Sequence, residues 1–335
     1  MDLDKLKQMQ KIYNWGILGL GKIANKFAQD ISSLPNAKIH AVASRSLEKA
    51  HQFAQQYEAT YAYGSYEELM QSPNLDVVYI ATPHVFHKEH TLLCLNHRIP
   101  VLCEKPFALN RSEVAEMIQK AKQTDTFLME ALWTRFLPTT KKILTIIESG
   151  QLGEIYAVKA DFGFKAAFDP EGRLYNPHLA GGSLLDIGIY PVFLALLLLG
   201  QPDDLKAFAK FSSTGVDEEC QVIFNYNNGQ TANLHSTIRS LTKTEAFIYG
   251  EKGTIHIHTR WHEPSSFTLL INDQRPKHFQ FNYTGNGYYF EAEEVMQCLE
   301  DQQKESQLLP LGFSVQLIEL LDRIRKEISL SYPNE

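Results

Sequence analysis

The chain has 335 residues, more than one average domain and enough for two with a sizeable core. Its apolar share of 44% and charged share of 21% are those of an ordinary globular protein, and a formal net charge of −7 argues against a nucleic-acid or anionic-membrane partner. Met1-Asp2-Leu3-Asp4-Lys5 does not read as a signal peptide, and the longest apolar run, Tyr190 to Leu199, is too short to span a bilayer and reads as a buried helix.

Trp15-Gly16-Ile17-Leu18 reads as a strand running straight into Gly19-Leu20-Gly21-Lys22-Ile23-Ala24, a G-x-G-x-x-A pattern. Gly19 permits the tight turn, Gly21 the close approach of a pyrophosphate, and Ala24 the close packing of helix on strand. A helix follows with Ala24, Phe27, Ala28 and Ile31 on one face. Its first turn, from Lys22 and Ile23, turns free N–H groups and a positive dipole end toward phosphates. A dinucleotide site is therefore expected. The second strand, Ala37 to Ala43, continues into Ser44-Arg45-Ser46. An NAD site usually carries Asp or Glu at this strand end. Here a serine and an arginine stand instead, and a guanidinium suits a phosphate, so NADP is favoured over NAD. Ser46 fits a helix N-cap.

The pattern repeats. Asp76 to Ala81 is a near-continuous apolar strand ending in Thr82-Pro83-His84, with a helix from about 86 to 96. Val101 to Cys103 is the next strand, and Glu104-Lys105-Pro106 closes it. Ligands of open α/β sheets bind outside the carboxyl ends of the strands. A lysine there can meet a reacting oxygen, and a neighbouring carboxylate can orient it. A helix near 112–122 and a strand at 126–129 complete a parallel sheet covered on both faces, ending near residue 135.

The second half turns strand-rich. Residues 154–164, 205–213, 220–226, 231–238, 246–250 and 254–258 are alternating or β-rich, with turns at Asn227-Asn228-Gly229 and Gly250-Glu251-Lys252-Gly253. This predicts a large, mostly antiparallel sheet. Helices near 138–149, 183–199, 287–302 and 312–328 cover part of it, and a homo-oligomer, a dimer or higher, is expected to cover the rest. Asp186 and Tyr190 are four apart and share a helix face. That face is apolar, so Asp186 needs a partner, and Lys105 across the cleft is the expected one.

Cys94, Cys103, Cys220 and Cys298 show no C-x-x-C spacing and read as reduced, packed thiols of a cytosolic protein. His84, His87 and His90 recur every third residue, and His256 and His258 share a strand face. No Cys/His or H-E-x-x-H pattern gathers enough ligands, so no metal is expected. His84 and His87, following a strand end, are read as lining the nicotinamide pocket.

G-L-G-K-I-A, S-R-S, T-P-H-x-x-H, C-E-K-P and G-G-S-L-L-D-I-G-I-Y together resemble the glucose–fructose oxidoreductase / inositol dehydrogenase family across the whole chain. Met129 to Phe136 and the D-I-G-I-Y ending resemble its branch of dimeric dihydrodiol dehydrogenases and NADP-dependent D-xylose 1-dehydrogenases, in which tyrosine stands at the place of Tyr190. The resemblance implies an N-terminal Rossmann domain, 1–135, and a C-terminal α+β domain, 136–335, with an open sheet and a last helix free to pack back on the first domain. It implies catalytic roles for Lys105 and Tyr190 with Asp186 nearby, and a substrate pocket near Trp133, Arg135 and Phe162. Phe290-Glu291 and the loop from Phe164 to Pro177 depart from the branch and are expected to border that pocket.

The expected reaction is hydride transfer between nicotinamide and a CH–OH group. A cofactor carries the redox chemistry while the protein handles the proton. Tyr190 is the first choice of proton acceptor, its acidity raised by the Lys105 ammonium, and a desolvated Lys105 is the alternative. The expected substrate is a polyol or sugar, an aldose at C1 first and a trans-dihydrodiol second. A non-catalytic NADP-binding regulator is the reading from another class.

Overall fold

The first strand, β1 (Tyr13–Leu18), is buried at all but one position, as a strand covered on both faces must be. The computed structural model describes residues 11–333 and 335, so Met1 to Lys5, expected not to be a signal peptide, lies outside the described residues. β1 leads through the glycine turn into α1 (Lys22–Ile31), which buries Ala24, Phe27, Ala28 and Ile31. The motif repeats as β2 (Ala37–Ala43), α2 (Leu47–Tyr57), β3 (Tyr61–Tyr63), α3 (Tyr66–Leu69), β4 (Val77–Ile80) and α4 (His87–Asn96). β5 (Val101–Glu104), α5 (Arg111–Thr124) and β6 (Leu128–Ala131) complete it.

All six strands are parallel, in the order β3-β2-β1-β4-β5-β6. The strand order reverses between β1 and β4, and a ligand crevice belongs outside the carboxyl ends there. β3 and α3 escape sequence periodicity because they are three and four residues long.

Past β6 the architecture changes. α6 (Pro138–Glu148), β7 (Ile155–Gly163) and α7 (Ile189–Leu199) precede β8 (Asp204–Phe211), β9 (Asp217–Asn225) and β10 (Thr231–Thr237). β11 (Ala246–Gly250), β12 (Gly253–Ile257), β13 (Phe267–Ile271) and β14 (Lys277–Phe279) follow. They form one sheet in the order β14-β13-β12-β11-β7-β10-β9-β8, antiparallel throughout except for the β7–β10 pair. The large, mostly antiparallel sheet is the expected one. β13 and β14 were not anticipated, because Phe267-Thr268-Leu269-Leu270-Ile271 breaks the two-residue alternation.

One face of this sheet is covered by α7, buried from Ile189 to Leu196. From the other face Phe208, Ile223, Tyr249 and Leu270 project, 38 to 71% exposed. The last helices are α8 (Tyr289–Glu300) and α9 (Leu311–Glu327). α9 lies against α5, where Arg325 donates to the Leu109 carbonyl at 3.0 Å and Arg111 N donates to Asp322 at 2.9 Å.

The sequence predicts a single helix over 183–199, and here the structure differs. The chain opens with a wide π-type turn over Leu184–Gly188 before α7 begins. Gly188 presses this turn onto β10, since a Cβ there would lie 2.8 Å from Ser236 Oγ. Such turns are frequent at functional sites.

Candidate active site

The glycine turn after β1 is held close to β4. Gly19 has φ +91°, and a Cβ there would lie 2.9 Å from Thr82 N. A Cβ on Gly21 would meet nothing within 4 Å, so this side of the turn is open. No side chain caps the N-terminus of α1, so its first-turn N–H groups face the crevice unclaimed by any cap. Open space over a glycine and an uncapped helix end fit a pyrophosphate.

The crevice is a cleft of about 640 Å³. Gly19, Gly21, Lys22, Ile23, Ser44 and Arg45 line one end, and Thr82, Pro83 and His84 line its middle. Lys26 and Lys49, which sequence reasoning did not single out, add positive charge beside Lys22 and Arg45. A second hollow of about 630 Å³ shares Arg45, Tyr66, Thr82 and Pro83 with the cleft and extends past Phe86 and His90. His90 is held by Thr82 Oγ1 at 3.0 Å, and burial lowers its pKa to about 4.

Glu104 and Lys105 line the far end together with Asp186 and Tyr190. Lys105 Nζ donates to the Asp186 carbonyl oxygen at 2.6 Å and lies 3.7 Å from its carboxylate. The same ammonium stands 5.1 Å from the centroid of the Tyr190 ring. The carboxylate of Asp186 is taken by Arg173, whose two terminal nitrogens donate at 2.6 and 3.3 Å. Burial pushes the Asp186 carboxyl up, but the Lys105 and Arg173 charges outweigh it and hold it well below the usual range.

Arg173 was missed because it sits in the irregular loop after β7, where no periodicity speaks. The available signal was the Gly181-Gly182 pair. A Cβ on Gly181 would lie 2.9 Å from the Arg173 carbonyl oxygen, so only glycine lets the loop close over this helix start.

Glu104 departs from its expected task. Its carboxylate accepts from the Tyr79 hydroxyl and from the backbone N of Lys105, the latter at 3.2 Å. It therefore fixes the strand end and not the ammonium. Tyr190 departs in the sign of its shift. Burial first, and the Glu104 charge second, push its phenol well above the ordinary value, while the Trp133 hydrogen bond opposes them. The expectation that Lys105 makes this phenol more acidic does not hold for this arrangement.

Trp133 Nε1 donates to Tyr190 Oη at 2.9 Å, and the Phe162 ring centroid lies 5.8 Å from that of Tyr190. His262 stacks on Phe162 at 3.9 Å, and Tyr288 stacks on Trp133 at 4.3 Å, so four rings wall in Tyr190. Tyr288 also lines the cleft. Arg135 is not brought to this wall. It does not line the cleft, and burial lowers its pKa. His87 is fully buried, with its ring nitrogens 2.8 and 2.9 Å from the carbonyl oxygens of Pro106 and Thr82. It ties the two loops together while lining the cleft beside His84. His84 is buried with Nδ1 unpartnered among the described residues, and burial lowers its pKa well below the ordinary value. Among the described residues, no group of three or more His, Cys, Asp or Glu could hold a metal ion. All four cysteines are buried free thiols.

Comparison with known proteins identifies the family. Residues 13–132 match the model of an oxidoreductase family with an NAD-binding Rossmann fold, and residues 140–256 match the GFO/IDH/MocA C-terminal domain. The chain is 39% identical to the trans-1,2-dihydrobenzene-1,2-diol dehydrogenase of Mus musculus over 96% of this chain and 98% of the relative. The Xenopus tropicalis protein of that name is 37% identical over 95% and 99% of the two chains. An aldose-aldose oxidoreductase from Caulobacter crescentus, solved with glycerol, shares the fold at a TM-score of 0.87 and 23% identity, covering 95% of this chain and 98% of that one. The chain belongs to the Gfo/Idh/MocA oxidoreductase family.

Proposed function

We propose that this oxidoreductase transfers a hydride between NADP and a carbinol carbon of a hydroxylated ring. The observation that carries the reading is the meeting of Lys105, from the end of β5, with Asp186 and Tyr190, from the other half of the chain, at one end of the cleft that begins at the glycine turn. When bound, nicotinamide supplies the hydride acceptor or donor. Gly19, Gly21, Lys22 and Ile23 would hold the pyrophosphate, and Thr82, Pro83 and His84 would flank the nicotinamide end. Arg45, with Lys22, Lys26 and Lys49 nearby, suits a 2′-phosphate, and Ser44-Arg45 stands where an NAD site carries an acid.

The proton is this chain's work. Tyr190, kept protonated by burial, donates to the substrate oxygen during reduction, and its phenolate takes the hydroxyl proton during oxidation. Lys105 and Arg173 share the Asp186 carboxylate, and the Lys105 ammonium stands beside the Tyr190 ring, where alkoxide character would develop. Asp186 fixes Lys105 through its backbone carbonyl.

A ring presenting vicinal hydroxyls would meet Tyr190 and Tyr288 on the cleft, with Trp133 and Phe162 buried behind them as backing. An aldose oxidised at C1 fits this wall, and so does a trans-dihydrodiol, which the names of the full-length relatives favour. The halves are proposed to divide near residue 135, the exposed sheet face to join two copies, and the four free thiols suit a reducing compartment such as the cytosol. The test is nicotinamide absorbance with aldoses, inositols and a trans-dihydrodiol, each with NADP and with NAD. Turnover with NADP on one ring class supports the reading. Bound NADPH with silence across the panel would favour a regulator.

A further inference from the structure

Asp30 lies on α1 and is 1% exposed, and a buried carboxylate must find partners. Its side-chain partners come from far along the chain. Asn286 N and Asn286 Nδ2 donate to Oδ1 at 2.8 and 3.0 Å, and Tyr288 N donates to Oδ2 at 2.7 Å. Gly285 and Gly287 take φ +70° and +98°, and a Cβ on Gly285 would collide with this carboxylate. The turn is shaped to lay its backbone on Asp30. No side chain caps the α8 that follows, and the clasp anchors Tyr288, the residue just before it.

What the clasp delivers is Tyr288. Its ring lies 4.3 Å from that of Trp133 with the planes 7° apart, and Trp133 Nε1 donates to Tyr190 Oη at 2.9 Å. We propose that Asp30 is a positioning residue for hydride transfer: it fixes Tyr288 against Trp133 and, through Trp133, the hydroxyl of Tyr190. The helix that begins at the pyrophosphate cradle then also sets the geometry of proton transfer. This inference rests on the reading of Tyr190 as the proton-transfer group.

The test uses the full chain. Asp30→Asn keeps the size but turns an amide N–H toward backbone donors and opens the clasp. The turnover rate is expected to fall about tenfold or more, since misplacement by about 1 Å can cost about a hundredfold. NADPH affinity, read by fluorescence titration, should change less than about threefold. The alkaline limb of the oxidation pH–rate profile should move to higher pH, as in Trp133→Phe, because the indole N–H favours the phenolate. The double variant should lose no more than the larger single one. Tyr288→Leu keeps the clasp and removes the stack, so the same shift is expected there even if Asp30→Asn does not fold. Additive losses, an unmoved pH profile, or unchanged turnover beside a lowered melting temperature overturn the proposal. Wild-type turnover in Tyr190→Phe would instead sink the reading of Tyr190, and the proposal with it.

Discussion

Lys105 Nζ donates to the carbonyl oxygen of Asp186 at 2.6 Å, while the carboxylate of the same residue stands 3.7 Å away and is gripped by Arg173. The backbone dipole orients the ammonium, and the carboxylate is left to balance two cations. That arrangement directs the ammonium with a carbonyl and leaves it beside the Tyr190 ring.

The phenol of Tyr190 is pushed up by burial and then by Glu104. Oxidation needs the phenolate, so its rate should climb as pH rises through the alkaline range, while reduction, which needs the phenol, should stay flat there. Glu104→Gln removes a raising charge and should move the oxidation limb to lower pH by up to about one unit. A pH–rate series in both directions checks this, and a limb that stays put removes Glu104 from the account.

On the proposed reading, Arg45 sets the preference for NADP. Arg45→Ala should raise the KM for NADP about ten- to a hundredfold, the worth of a charge-assisted hydrogen bond, and leave that for NAD nearly unchanged. Parallel kinetics with the two cofactors decide it.

Asp217 tests the support beneath the site. It is fully buried, accepts from Ser183 Oγ at 2.8 Å and Leu184 N at 2.7 Å, and burial raises its pKa to about 7. The native state therefore holds a proton that the unfolded chain releases near pH 4. The stability this proton confers is fully present below that value and is lost as pH rises toward about 7. Asp217→Asn keeps an acceptor without the titration, so it should gain on the wild type between pH 5 and pH 8 by up to about 3 kcal/mol. Glu130, also raised to about 7 by burial, leaves the variant some of the same slope. Denaturation at the two pH values measures the difference.

The sheet face bearing Phe208, Ile223, Tyr249 and Leu270 should be buried between two copies. Phe208→Glu with Leu270→Glu should shift the sedimentation mass to that of a monomer. A monomeric wild type would remove the interface.

The sequence was most legible where local rules act alone. The G-x-G turn, the strand ends carrying Arg45, Thr82 and Lys105, and the two hairpin turns follow from backbone sterics within a few residues. Asp186 and Tyr190 were found by their spacing, although a π-type turn and not a plain helix presents them. Arg173, Tyr288 and Asp30 were invisible because their roles come from contacts across long stretches of chain. Arg135 does not line the cleft, and a four-residue turn has no periodicity to tell which of its side chains would. The sign of the Tyr190 shift depended on burial first and on the Glu104 charge second, and sequence reasoning weighed only the Lys105 charge.

The central claim is that Lys105 and Tyr190 form the reacting end of an NADP site. The direct measurement is the turnover rate of Lys105→Met and Tyr190→Phe with the best ring substrate, beside NADPH binding by fluorescence. The account predicts losses of about a hundredfold or more in each with binding changed only a few-fold. Turnover near the wild-type rate in either variant would contradict it.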